Sequence, residues 1–172
     1  MIDYEGIKEI QPNRGFYNKE FEKSMRLCGF RARMAWCSLF AKHIWREFGI
    51  VAKNGRDYRA ISPSVMETYR TFKKIATQRI PRAGSLVIWQ HPTDKIHGHT
   101  GVVVRKIDRN TVLTLEGNTN GRGVREGDGV YLKVRKFRET QYTFIGFIPC
   151  RRNRAFQKYI NERVNKKTNS WL

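Results

Sequence analysis

One cysteine in this chain stands where a nucleophile could be made. In Met34-Ala35-Trp36-Cys37-Ser38-Leu39-Phe40-Ala41-Lys42-His43-Ile44-Trp45, the apolar residues Cys37, Phe40, Ala41, Ile44 and, just beyond, Phe48 keep to one face of a helix, and Gly49 follows as a stop. Cys37 therefore opens the helix, where the dipole and the unpaired backbone N–H groups favour negative charge and hence a thiolate. The plainer reading is a small buried hydrophobe. A thiolate enzyme also needs an imidazole as base and acid, and a polar group that orients the imidazole. There are four histidines. His43 lies six residues along the cysteine's own helix and faces roughly the other way, and His91 precedes Pro92 in a loop. His97 and His99 flank Gly98 at the entrance of a strand, and one of the two is expected to reach the cysteine. Glu116-Gly117-Asn118 then offers a carboxylate and an amide on one strand face.

The elements that must position these groups fall into two textures. Residues 1 to 16 are polar, with Pro12, Asn13 and Gly15, and read as an entry loop or short turn. A helix is expected over about Tyr17 to Leu27, with Tyr17, Phe21 and Met25 inward, and Cys28-Gly29 breaks it; Cys28 is read as structural. Ser62-Pro63 reads as the start of a further helix running to about Thr77, with serine at the N-cap and proline at the first position. From Pro81 onward the sequence turns to short β-rich runs: Ser85–Gln90, His99–Ile107, Thr111–Asn118, Gly129–Arg135 and Tyr142–Pro149, with a glycine-rich loop over Thr119–Asp128. Helices first and strands after indicate an α+β domain with an antiparallel sheet. Past Cys150, Phe156, Ile160 and Val164 recur every four residues on a basic background, so 1–150 is read as the domain and 151–172 as a basic tail or helix.

Lysine and arginine total 34 against 15 acidic residues, a net charge of +19, which implies a polyanionic partner or surface. Cysteines at 28, 37 and 150 show neither CxxC spacing nor an even count, which argues against a zinc ribbon or a disulfide framework. No disulfide-linked partner is expected. The N-terminus lacks a basic stretch followed by an apolar one, so the expectation is synthesis in the cytoplasm without a signal peptide.

Trp36-Cys37-Ser38 at a helix start, Pro81-Arg82-Ala83-Gly84 leading into Leu86-Val87-Ile88-Trp89, Gly98-His99-Thr100-Gly101, and Leu115-Glu116-Gly117-Asn118 together resemble the CHAP family of peptidoglycan hydrolases, over roughly residues 13 to 149. That resemblance implies a papain-like fold with helices packed on a five- to six-stranded antiparallel sheet. It makes Cys37 the nucleophile, His99 the base, Glu116 the group orienting the imidazole and Asn118 a fourth polar group. Trp36 and Trp89 are read as lining a substrate groove, with aromatic core as the other reading. Where the family often has aspartate after the glycine of the second block, this chain has Ser85. Some members bind calcium through aspartates before the cysteine, but Ser24 to Met34 contains no carboxylate, so no metal or other cofactor is expected. The implied activity is cleavage of a peptidoglycan amide through a thioester, by a monomer of phage endolysin or wall-remodelling type that acts on the cell wall or periplasm after release. The surplus positive charge would hold it on an anionic envelope. Two other readings are a nucleic-acid-binding module and an NlpC-type cysteine amidohydrolase; the first explains the charge but not the order of Cys, His, Glu and Asn.

The strand pairing carries a further expectation. If His99–Ile107 and Thr111–Asn118 form a hairpin, an odd register sum, or a bulge that restores one, puts His99 on the face of Glu116 and Asn118. An even sum would turn them apart.

Overall fold

The computed structural model describes residues 2–119 and 127–165. A small hairpin, β1 (Glu9–Gln11) and β2 (Gly15–Phe16), precedes the helices α1 (Lys19–Leu27), α2 (Cys37–Phe48) and α3 (Val65–Phe72). Strands β3 (Leu86–Gln90), β4 (Gly98–Lys106), β5 (Thr111–Thr119), β6 (Gly129–Lys136) and β7 (Thr143–Ile148) follow, and then α4 (Arg154–Tyr159), which runs on into a π-helical turn over Ile160–Val164. The five later strands form one antiparallel sheet in the order β6-β5-β4-β3-β7, giving an α+β fold. Most of the Thr119–Asp128 loop, and the chain after 165, lie outside the described residues.

Helix ends follow local chemistry. α1 begins after Asn18, whose side chain accepts the Phe21 N–H, so Tyr17 falls outside the helix and is 68% exposed instead of inward. α3 is capped by Ser64, not Ser62: the Ser64 hydroxyl accepts the Glu67 N–H, and Ser62 instead bonds the Ser64 N–H and the Glu67 carboxylate. Ser64-x-x-Glu67 is a capping-box spacing that outcompetes the Ser62-Pro63 signal. The helix then tightens into a 3₁₀ turn over Lys73–Ile75, so it stops short of Thr77. α2 ends at Gly49, whose left-handed φ of 60° lets its N–H turn back onto the last carbonyls. The entry segment is less loop-like than its polarity implies, because β1 and β2 pair with each other.

Alternation along the strands sorts the sheet into two faces. Leu86, Ile88, Val102, Leu113 and Leu115 join Leu39, Phe40, Ile44 and Trp45 of α2 in the main core. Val87, Trp89, Val103, Val112, Phe137 and Phe147 make a second cluster. Trp45 Nε1 donates to the Gly84 carbonyl at 2.9 Å, tying α2 to the turn that leads into β3. Ser85, at the position where aspartate was the common residue, accepts the Cys150 N–H at 3.1 Å and so fills a buried structural role.

The described part of the basic C-terminal segment packs on the rest of the chain. Phe156, Tyr159, Ile160 and Val164 are buried in the main core, Phe48 and Phe156 meet at 5.1 Å, and Asn153 Nδ2 donates to the Phe48 carbonyl at 2.8 Å. The four-residue spacing that marks an amphipathic helix here faces protein. Burying each such apolar side chain is worth about 1.5–3 kcal/mol, and a whole domain is stable by only about 5–15 kcal/mol. Truncation after Cys150 is therefore expected to unfold the protein or lower its melting temperature severely, measured by circular dichroism. A truncated protein that melts like the full chain would contradict this packing.

Candidate active site

The β4–β5 register decides whether the site can form. Near the turn Arg105 faces Leu113 and Lys106 faces Val112, an even sum; past a shift at Val104, Val103 faces Thr114 and Val102 faces Leu115, an odd one. One extra residue on β4 thus flips the later side chains to the opposite face. Past the pair of Val102 and Leu115, Gly101 lies beside Glu116, and the Glu116 side chain is on the face of His99. Gly101 has a steric reason: a Cβ there would lie 2.7 Å from Glu116 Cγ, so glycine makes the room through which Glu116 reaches toward His99. Gly117 has another, since a Cβ there would lie 2.5 Å from the Trp36 ring and 2.6 Å from Phe40, which holds β5 against the start of α2.

His99 Nε2 and Glu116 Oε2 are 2.8 Å apart, which leaves Nδ1 for the Cys37 thiol that lines the same cleft and raises the ring's basicity. Cys37 is the first residue of α2, 7% exposed, behind an N-cap residue, Trp36, whose side chain makes no cap. Its N–H is one of the orphan donors of a helix start. Burial alone would lower the His99 pKa, but the Cys37 and Glu116 contacts outweigh it and raise the value from 6.5 to about 9. The ring lies between two aromatic planes, Trp89 at 5.9 Å and 18° and Tyr142 at 6.0 Å and 22°, which suits a charged imidazolium.

Glu116 is fully buried and its oxygens are saturated. Oε1 accepts from Thr114 Oγ1 at 2.6 Å and Arg135 Nε at 2.8 Å, and Oε2 from Arg135 Nη2 at 2.6 Å besides its bond to His99. Burial would raise its pKa, yet Arg135 and His99 hold it far below the usual carboxylate range. Arg135 on β6 also lies 5.7 Å from the Trp89 ring. Arg135, Thr114 and Tyr142 were not singled out by the sequence. Thr114 is on the Glu116 face two residues earlier, which was legible; Arg135 depends on the β5–β6 register, and Tyr142 on the β3–β7 pairing.

The other candidates separate cleanly. Asn118 lines the cleft with a left-handed φ of 53°, and its buried Oδ1 has no hydrogen-bond partner among the described residues. His43 is in the core, bonded to Ser24 Oγ at 3.1 Å, with burial and then Arg46 lowering its pKa to about 4. His91 and His97 line the cleft, and His97 is held by Asp94 at 2.8 Å. Trp36 and Trp89 do not line it. They are 0% and 1% exposed, with Trp36 Nε1 bonded to buried Glu9 and Trp89 Nε1 donating to the Phe137 carbonyl at 2.8 Å. Apolar rings with satisfied N–H groups have become core, and the groove-lining reading is corrected. Glu9, which anchors Trp36, sits in the segment read as a loop.

The cleft itself encloses about 300 Å³ and is lined by Asn13, Arg33, Cys37, His97, His99 and Tyr142 among others. The segment before Cys37 does not fit a hard cation, since it presents Arg31 and Arg33 where oxygen ligands would be needed. Among the described residues no three His, Cys, Asp or Glu side chains cluster to hold a metal ion.

A thiol at a helix start, an imidazole on a strand and a buried carboxylate behind it are the groups that cysteine hydrolysis requires. A family model described as CHAP domain matches residues 29–118, just over half of the chain, and the chain belongs to that family. CHAP domains are cysteine-dependent amidases or peptidases acting on peptidoglycan. The matched segment contains Cys37, His99, Glu116 and Asn118 and stops before Arg135. No curated protein and no solved structure matched the chain.

A pH effect follows from the imidazole. Its folded-state pKa lies above the unfolded value of 6.5, so this contact stabilises the fold in full below about 6.5 and the contribution is lost as pH rises through about 9. Melting temperatures measured across that window are expected to fall for the wild type and to fall less for His99→Gln. Parallel profiles would contradict the assignment.

Proposed function

We propose that the protein hydrolyses one amide of peptidoglycan, either the muramoyl–alanine amide or a peptide bond of the stem or cross-bridge, with Cys37 as nucleophile, His99 as acid and base, and Glu116 and Asn118 as supporting polar groups. The observation that carries this reading is the unbroken line of contacts Cys37–His99–Glu116–Arg135 at a cleft. The thiolate attacks the carbonyl carbon, and the oxyanion is met by the Cys37 N–H at the helix start. The imidazolium gives its proton to the departing amine, leaving a thioester and neutral His99. His99 then takes a proton from water, hydroxide adds to the thioester, and the acid leaves as the Cys37 thiolate and the imidazolium re-form. Glu116, fixed by Arg135 and Thr114, keeps the imidazole in one tautomer and stabilises its charged form.

The setting we propose is a monomeric phage-type lysin or a wall-remodelling enzyme, held on an anionic envelope by its +19 charge after release from the cell that makes it. Purified peptidoglycan treated with the protein, followed by mass analysis of the soluble products, tests the reaction. Stem peptides freed from lactyl-bearing glycan indicate the amidase, and new amino termini within peptides indicate the endopeptidase. Absence of both products with a folded protein would overturn the proposal.

A further inference from the structure

The cleft has a one-sided electrostatic character. Among the described residues its lining includes Arg33 and Arg135 and no aspartate, glutamate or lysine. Glu116 is buried behind His99 and saturated, with Arg135 spending its Nε and Nη2 on it, and Asp94 is taken up by His97. Arg33 is different: it is exposed at the rim and no carboxylate pairs with it among the described residues.

The backbone that presents Arg33 is held in an uncommon conformation. Arg33 has a φ of 71° and Asn13 one of 57°, and with Asn118 they place in the cleft lining three of the four left-handed non-glycine residues found among the described residues. Such residues persist only where the surroundings enforce them, and they gather at functional sites. Here the enforcement is visible. The Arg33 N–H bonds the Asn13 carbonyl, the Asn13 N–H bonds Glu9 Oε2 at 3.0 Å, and Glu9 Oε1 accepts from the indole of Trp36, the residue next to the nucleophile. Arg33 is thus tied to the start of α2 by a short chain of hydrogen bonds.

Resting on the function proposed above, we infer that Arg33 is a substrate-anchoring residue that binds a free carboxylate of the peptide stem beside the scissile amide. The enzyme then prefers stems carrying that carboxylate over stems in which it is a primary carboxamide. A planar guanidinium takes a carboxylate through two charge-assisted hydrogen bonds, whereas a carboxamide offers one neutral acceptor and a donor that the guanidinium cannot match.

The test uses two muropeptide fragments that are identical except for a free carboxylate or a carboxamide next to the cleaved bond, with kcat and KM measured for each. Wild-type protein is expected to favour the carboxylate about tenfold in kcat/KM, mostly through KM. Arg33→Gln should erase the preference, and Arg33→Lys should keep part of it. Arg33→Gly should also erase it while retaining the melting temperature, because glycine accepts the left-handed backbone that the loop requires. Arg31→Gln, a charge change two residues away and outside the cleft lining, should leave the preference as it is. Equal kcat/KM on both fragments with wild-type protein, or a preference that survives Arg33→Gln, overturns the inference while leaving the hydrolase reading standing. Cleavage of neither fragment, nor of whole peptidoglycan, overturns both.

Discussion

Cys37→Ala is expected to lower peptidoglycan hydrolysis by about 10⁴-fold or more while leaving the fold unchanged, since removal of a covalent nucleophile leaves only binding and oxyanion stabilisation. The thiol occupies a helix start and is 7% exposed at the cleft, so a methyl group in its place leaves the packing of α2 intact. The controls are the two other cysteines. Cys28 caps the C-terminal end of α1, and Cys150 is packed under Ser85 and the Ala83 carbonyl, with burial raising both thiol pKa values above the usual range. Neither is poised as a thiolate. Cys28→Ser and Cys150→Ser should keep wall-clearing activity even where they lower stability. Turbidity loss of purified walls, with melting curves for each variant, decides the matter. Full activity in a folded Cys37→Ala protein would end the enzyme reading.

Glu116 carries the second large effect, and it acts on both fold and chemistry. Glu116→Ala leaves the Arg135 guanidinium without its carboxylate in a largely buried position, which costs about 3–5 kcal/mol. For a chain of this size the melting temperature should fall by about 10 °C. Activity should fall by about 10²–10⁴-fold beyond what unfolding explains, because nothing then holds the imidazole. A double change separates the two roles. Glu116→Leu with Arg135→Met removes both charges together and should recover much of the stability, as buried ion pairs replaced by apolar groups often do. It should not recover activity. A double variant that is both stable and active would show that the carboxylate serves packing alone.

Some of this was written in local sequence. The period of α2, the glycine that ends it and the alternation of the strands rest on interactions within a few residues, so the α+β class was legible, whereas the choice of Cys37, His99 and Glu116 came from the resemblance of four sequence blocks to the CHAP family. Local competition between signals was read less well: Ser64 with Glu67 outweighed Ser62-Pro63, and Asn18 capped α1 after Tyr17, because a cap is chosen by which hydroxyl or amide meets an N–H in three dimensions. Parity arithmetic required an odd register or a bulge near the turn that restores one, and the structure took the second route, with a shift at Val104.

What only the tertiary structure decided are the contacts made across large sequence separations. Trp36 and Trp89 look the same in sequence whether they face a groove or a core, and the packing of Glu9 and Phe137 around their N–H groups settled them as core. The basic helix after Cys150 has an apolar stripe whose partner no local pattern names, and Phe48 proved to be there. Arg135 completes the site because β6 pairs beside β5 in a register that brings its guanidinium to Glu116, a partner 19 residues earlier. Sequence periodicity reports which face of an element is apolar, but the identity of whatever covers a face, or neutralises a buried charge, depends on how the elements pack together.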